Sequence, residues 1–274
     1  PTPKYHLFRS VVSRYVPIPE VDLPPAQPAR RFGTLTFGES ADLLDNLDSL
    51  TKPVSLTVPL SMEKLGQGQG FILYRTQVRG PREKLPVRFA QLGDRAHIFA
   101  DGKLQGIQYR NDTEDAVQLA VPPEGLGLDI LVENMGHINY GARLAEQKGA
   151  VGGILLGQTF LYHWQACPLP LNDLSGVRFQ PGVQPFSGRP QFLRAFLDLD
   201  ETADTFVKLP GFIKGVIFVN GHILSRYWSI GPQRSAWLPG PFLRQGRNEI
   251  IVLELDGRSS DTILFDDQMD IAGK

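Results

Sequence analysis

The sequence predicts two tandem all-β sandwich modules of jelly-roll type, led by one short helix and a proline-rich connector. Three observations carry that prediction. Glycine (28) and proline (22) are abundant over 274 residues, which suits many short strands joined by tight turns. From Phe32 onward, short β-prone segments recur with turn signals between them. Three segments of the first half reappear in order in the second half, at offsets of 121, 119 and 120 residues.

The first segment has the one convincing amphipathic helical pattern. Thr2 suits an N-cap and Pro3 the first helical position. Tyr5, Phe8, Val11, Val12 and Tyr15 recur at helical spacing, and Pro17 and Pro19 end the helix. The prolines between Pro17 and Pro28 read as an extended connector crossing a surface. A helix so apolar on one face needs something to pack on, and its main partner is expected outside this chain.

The first all-β module is placed at residues 32–170. Phe32 to Phe37 reads as a strand, Ala41 to Leu50 as either a short helix or a loop, and Ser61 to Leu65 as one helical turn capped by Ser61. Strands are predicted at Gly70–Val78, Leu85–Phe89, Ala96–Ala100, Leu104–Arg110, Ala116–Val121 and Leu128–Glu133. Residues 171–190, rich in Pro, Gly and Ser, are taken as a linker, and 191–274 as the second module. The repeat matches Gly70–Arg75 with Gln191–Phe196, His97–Gly102 with Val216–Gly221, and Asp129–Asn134 with Glu249–Glu254. Asp101-Gly102 and Asn220-Gly221 are hairpin signals, because a type I′ turn needs positive φ at both central residues.

Composition bounds function weakly. A net charge of −1 gives no reason to expect a nucleic-acid or membrane partner. One cysteine, Cys167, rules out an internal disulfide and favours a reducing, cytoplasmic setting. The five histidines are scattered singly, so neither a metal nor any other cofactor is expected. No G-x-S-x-G elbow is present, and the Gly66–Gly70 run leads into a strand, where no helix N-terminus receives a phosphate. Asp266-Asp267 reads as a solvated pair rather than a glycosidase dyad.

Two segments are richer than a scaffold requires. Val132 to Gly141 runs from a buried strand into a polar, aromatic stretch with two glycines, an ordered loop of the kind on which functional residues concentrate. The plainer alternative has Asn134 and Asn139 bonding their own backbone and Tyr140 packing at an edge. Around Gly221 to Pro241, Tyr227, Trp228 and Trp237 lie beside Arg226 and Gln233. They can form a sugar platform, since apolar sugar faces stack on rings, or fill a sandwich edge.

Taken in order, these segments resemble the C-terminal part of β-galactosidases of glycoside hydrolase family 35. The resemblance runs through Pro59–Gln67, Gly70–Thr76, Asp94–His97 with Asp101-Gly102, Val132–Gly141, Lys214-Gly215, Val219–Gly221, Arg226–Trp228, Gly231–Gln233, Pro239–Pro241 and Asn248–Ile250. Thr2–Tyr5 resembles the family's final barrel helix. The chain departs from the pattern at His137, where the family usually has Arg, at His222, where an aromatic is common, and at Ser225, where glycine is.

The resemblance implies galactose-binding-like jelly rolls. It also implies that hydrolysis of terminal, non-reducing β-D-galactose belongs to a larger retaining enzyme, whose two glutamates sit on a (β/α)8 barrel of roughly 250 residues. This chain would then hold no catalytic residue. Its partners would be that barrel, a galactose-containing glycoside and, through dimerisation, a second copy of itself. Tyr140 holds the position of a tyrosine that reaches the rim of the family's galactose pocket. The alternative is a free-standing carbohydrate-binding or oligomerisation module.

Overall fold

The computed structural model describes residues 3–20, 28–112 and 116–271. The cap at Thr2 and most of the proline-rich connector lie outside them. The helix covers Pro3–Val12, ending before the predicted stop at Pro17, and buries no residue. Everything else of size is antiparallel sheet.

Four sheets stack as two sandwiches. In the first, a six-stranded sheet runs in the order Val54–Leu56, Trp164–Leu169, Phe71–Val78, Leu126–Glu133, Arg95–Ala100, Lys103–Tyr109. It faces a sheet of Thr159–Phe160, Gly149–Leu156, Arg82–Gly93 and Gln118–Val121. In the second, six strands run Gln180–Pro181, Glu39–Asp42, Gln191–Leu199, Gly246–Glu254, Lys214–Val219, His222–Trp228. They face Gly33–Thr36, Thr262–Asp266, Thr205–Lys208 and Ser235–Leu238. The three repeated segments occupy the same third, fourth and fifth places in the two large sheets. Both predicted hairpins are present, with φ of 46° and 74° at Asp101-Gly102 and 49° and 82° at Asn220-Gly221.

The large sheets also pack on each other. Phe71, Leu73, Phe99 and Leu131 of one meet Phe192, Val216, Phe218, Ile251 and Leu253 of the other in one apolar cluster. Both faces of each large sheet are therefore covered, and the central strands read as unbroken apolar runs such as Phe71-Ile72-Leu73-Tyr74 and Ile250-Ile251-Val252-Leu253. Strict alternation is expected only where one face meets water.

Two boundaries differ from the sequence reading. Residues 32–42 were placed in the first module, but Gly33–Thr36 pairs with Thr262–Asp266 and Glu39–Asp42 pairs with Gln191–Arg194 of the second. The first sandwich is thus an insertion within the second. Residues 171–190 are not a free linker either. Leu171, Leu174 and Val177 are buried between the modules, and Gln180–Pro181 adds an edge strand beside Glu39 and Ser40. The segment Ala41–Leu50 is strand to Asp42, then a 3-10 turn and one helical turn, started by Asp42 Oδ1 accepting the Leu44 N–H at 2.7 Å.

Candidate functional site

The loop carrying Tyr140 leaves the strand Leu126–Glu133 and returns as the strand Gly149–Leu156. Its roots are heavily bonded. Asn134 Nδ2 donates to the Gly68 carbonyl at 3.0 Å, and Asn134 Oδ1 accepts the Gly136 N–H at 2.9 Å, as the local-bonding alternative expected of Asn134; it does not hold for Asn139, or for Tyr140, which packs at no edge. The Met135 N–H donates to Asp94 Oδ2 at 2.8 Å. At the far root, the Lys148 N–H donates to the Glu63 carboxylate at 2.9 Å. Between the roots the chain is almost wholly exposed, and Tyr140 is 89% exposed at its tip. His137 sets Nε2 3.2 Å from the Gly68 carbonyl and 3.9 Å from Glu63, so the turn at Gly66–Gly70 backs this loop rather than holding a phosphate.

Under the loop lies a four-charge cluster that sequence reading did not find. The Lys148 ammonium, 1% exposed, donates to Asp94 at 2.8 and 2.9 Å and to Glu146 at 2.7 Å. The Arg110 guanidinium bridges the same two carboxylates, at 2.8 Å to Asp94 and at 2.8 and 2.6 Å to Glu146. The hydrogen bond from Arg110, aided by Lys148, holds the Glu146 carboxyl down at about 2. These residues lie up to 54 positions apart, and the one local signal was the charged pair Asp94-Arg95 before a buried strand.

Arg95 turns the other way, into the seam between modules. Its guanidinium, 1% exposed, makes two 2.7 Å bonds to Asp256 of the second sandwich, and His97 Nε2 sits 2.9 Å from the same carboxylate. Burial drives the His97 imidazole below its ordinary value against the pull of Asp256. Burial alone would raise the Asp256 carboxyl, but its bonds to His97 and Arg95 outweigh that and hold it low. Lys214 reaches Glu133 at 2.9 Å, and Arg226 donates to the Asn134 carbonyl, tying the second module to the root of the Tyr140 loop.

The three platform aromatics do not share a face. The Tyr227 ring packs edge-on against Phe212, and its O–H donates to Glu254 at 2.8 Å. Trp228 lies parallel to Tyr109 with 6.4 Å between ring centres, and the Lys214 ammonium sits over the Trp228 ring at 4.1 Å. Tyr227 and Trp228 line a cavity of about 540 Å³ that also takes in Phe212, Arg226 and Met135. Trp237 points the other way on its strand, between buried Ala236 and Leu238, 56% exposed and bonded to Asp204. Asp266 is not solvated as expected: Lys208 and Arg31 bind it at 2.7 and 2.9 Å, and the Lys208 hydrogen bond lowers its carboxyl.

Each sandwich contains a match to a known domain. Residues 59–170 match the β-galactosidase first all-beta domain, and residues 190–248 match the β-galactosidase galactose-binding domain. The chain belongs to the β-galactosidase family. It is 36% identical over 270 residues to a mouse β-galactosidase-1-like protein, covering 93% of this chain and 41% of the relative. It is also 36% identical over 239 residues to a β-galactosidase of Xanthomonas manihotis, covering 87% and 39%. The chain therefore spans about two fifths of the length of the relatives it matches. A lectin of Pleurotus ostreatus aligns over 89% of this chain and 81% of its own at 12% identity and a TM-score of 0.24, too distant to bear on fold or site.

Proposed function

We propose that this chain serves a β-galactosidase as its all-β buttress, and that it presents Tyr140 to the rim of a pocket for a terminal β-galactosyl unit. The observation that carries this reading is the placement of Tyr140. A large aromatic stands 89% exposed on a loop whose two roots are fixed by part-buried hydrogen bonds, a placement that suits contact with something outside the chain. The match to a galactose-binding domain supports a galactoside as the ligand class.

The chemistry of hydrolysis is then supplied by two carboxylates of a (β/α)8 barrel, a fold absent from the described residues. The tyrosine contributes a ring that excludes water and a hydroxyl that bonds the sugar. The helix Pro3–Val12 suits the same arrangement, because Leu7, Phe8, Val11 and Val12 are exposed and ready to be covered by the barrel. The test is to assay the isolated chain and the whole protein on nitrophenyl β-galactoside. Hydrolysis by the whole protein alone is expected, and turnover by the isolated chain would overturn the reading.

A further inference from the structure

We infer that Asp94 is a positioning residue for Tyr140: it ties both roots of the loop to one buried point and so fixes where the tip stands. The inference rests on the reading of Tyr140 as a rim residue. One Asp94 carboxylate accepts the Met135 N–H at the entry root at 2.8 Å and the Lys148 ammonium at the exit root at 2.8 and 2.9 Å. Arg110 binds it at 2.8 Å and carries the link on to Glu146, two residues before Lys148. Two cations and two carboxylates thus close a ring of balanced charge beneath the loop.

Above the ring, Asn134 bonds Gly68, and Glu63 accepts the Lys148 N–H while standing 3.9 Å from His137, a longer link between the roots than the one Asp94 makes. Among the described residues Tyr140 makes no hydrogen bond, and residues 139–145 are exposed. A segment without strand or helix of its own takes its position from its ends. The Asp94 main chain is itself held, its N–H donating to the Glu133 carbonyl at 3.0 Å and its carbonyl accepting the Arg110 N–H at 2.8 Å. The anchor therefore belongs to the sheet and not to the loop.

Two assays separate positioning from general damage. In this chain, Asp94→Asn should raise trypsin cleavage after Arg143 about tenfold, by loosening the loop while the strands stay folded. In the whole protein, the same substitution should lower kcat/KM about tenfold, but less than about twofold when Tyr140 is already Ala, because coupled residues are not additive. Unchanged cleavage at Arg143 in a folded variant would overturn the inference, as would an equal kinetic loss in both backgrounds. Where Asp94→Asn fails to fold, Lys148→Met carries both assays, since it cuts the tie of Asp94 to the exit root and leaves its bond to the Met135 N–H in place. If Tyr140→Ala alone leaves kinetics unchanged, the rim reading fails, and cleavage at Arg143 still decides whether Asp94 holds the loop.

Discussion

Replacing Asp256 by Ala tests how the two sandwiches are joined. The substitution leaves the Arg95 guanidinium, 1% exposed, with Glu133 at 3.7 Å as its remaining carboxylate, after two bonds of 2.7 Å are lost. Breaking a buried pair by removing one partner costs about 3–5 kcal/mol. That is a large share of an ordinary domain stability of about 5–15 kcal/mol. Urea unfolding followed by tryptophan fluorescence reads the loss as a lower midpoint. The double variant Arg95→Met, Asp256→Leu should recover most of it, since well-packed apolar replacements of buried pairs are close to neutral. A single-variant loss below about 1 kcal/mol, the range of exposed pairs, would refute the account of this seam.

The pH dependence has a definite sign. His97 has a folded value below its ordinary 6.5, so the unfolded chain binds its proton more readily. Its contribution is complete above pH 6.5 and is lost as pH falls below it. Asp256, also lowered, loses its contribution only as pH drops below the ordinary carboxylate value of 3.8. Wild type should therefore weaken in two stages on acidification, and His97→Gln should lack the first.

Three further outcomes follow from the same geometry. A chain beginning at residue 28 should melt within roughly 1 °C of the full one, because the leading helix buries no residue here; a large drop would show a hidden contact. Glu254 accepts the N–H groups of Ile213, Lys214, Asp256 and Gly257 and the Tyr227 hydroxyl, so Glu254→Ala should cost about 3–5 kcal/mol by thermal melting, well beyond a surface change. Titrating the isolated chain with galactose or lactose should give no saturable tryptophan signal, since the Lys214 ammonium sits over the Trp228 ring and Trp237 does not share its face; saturation would favour the binding-module alternative.

What the sequence showed and what it hid divide along physical lines. The repeat was legible because equivalent strands in both large sheets need the same apolar runs, and the hairpins because Asp101-Gly102 and Asn220-Gly221 are local turn chemistry. The nesting was not legible. The strand Gly33–Thr36 was visible, but its partner lies at Thr262–Asp266, and nothing local encodes a pairing over such a separation. Residues 171–190 looked like a linker by composition, while Leu171, Leu174 and Val177 were the signal of burial. At the site, the glycines and polar residues around Tyr140 marked the loop. Its support was hidden because Asp94, Arg110, Glu146 and Lys148 meet only in the fold.

Tyr140 of this all-β region is proposed to reach the rim of a galactoside pocket. The most direct measurement is kcat/KM of the whole protein for a β-galactoside with Tyr140 replaced by Phe and by Ala, at matched thermal stability. Loss of one sugar hydrogen bond predicts a drop of about 2- to 10-fold for Tyr140→Phe, with a larger drop for Tyr140→Ala as the ring is also removed. Equal kcat/KM for all three proteins would contradict the claim.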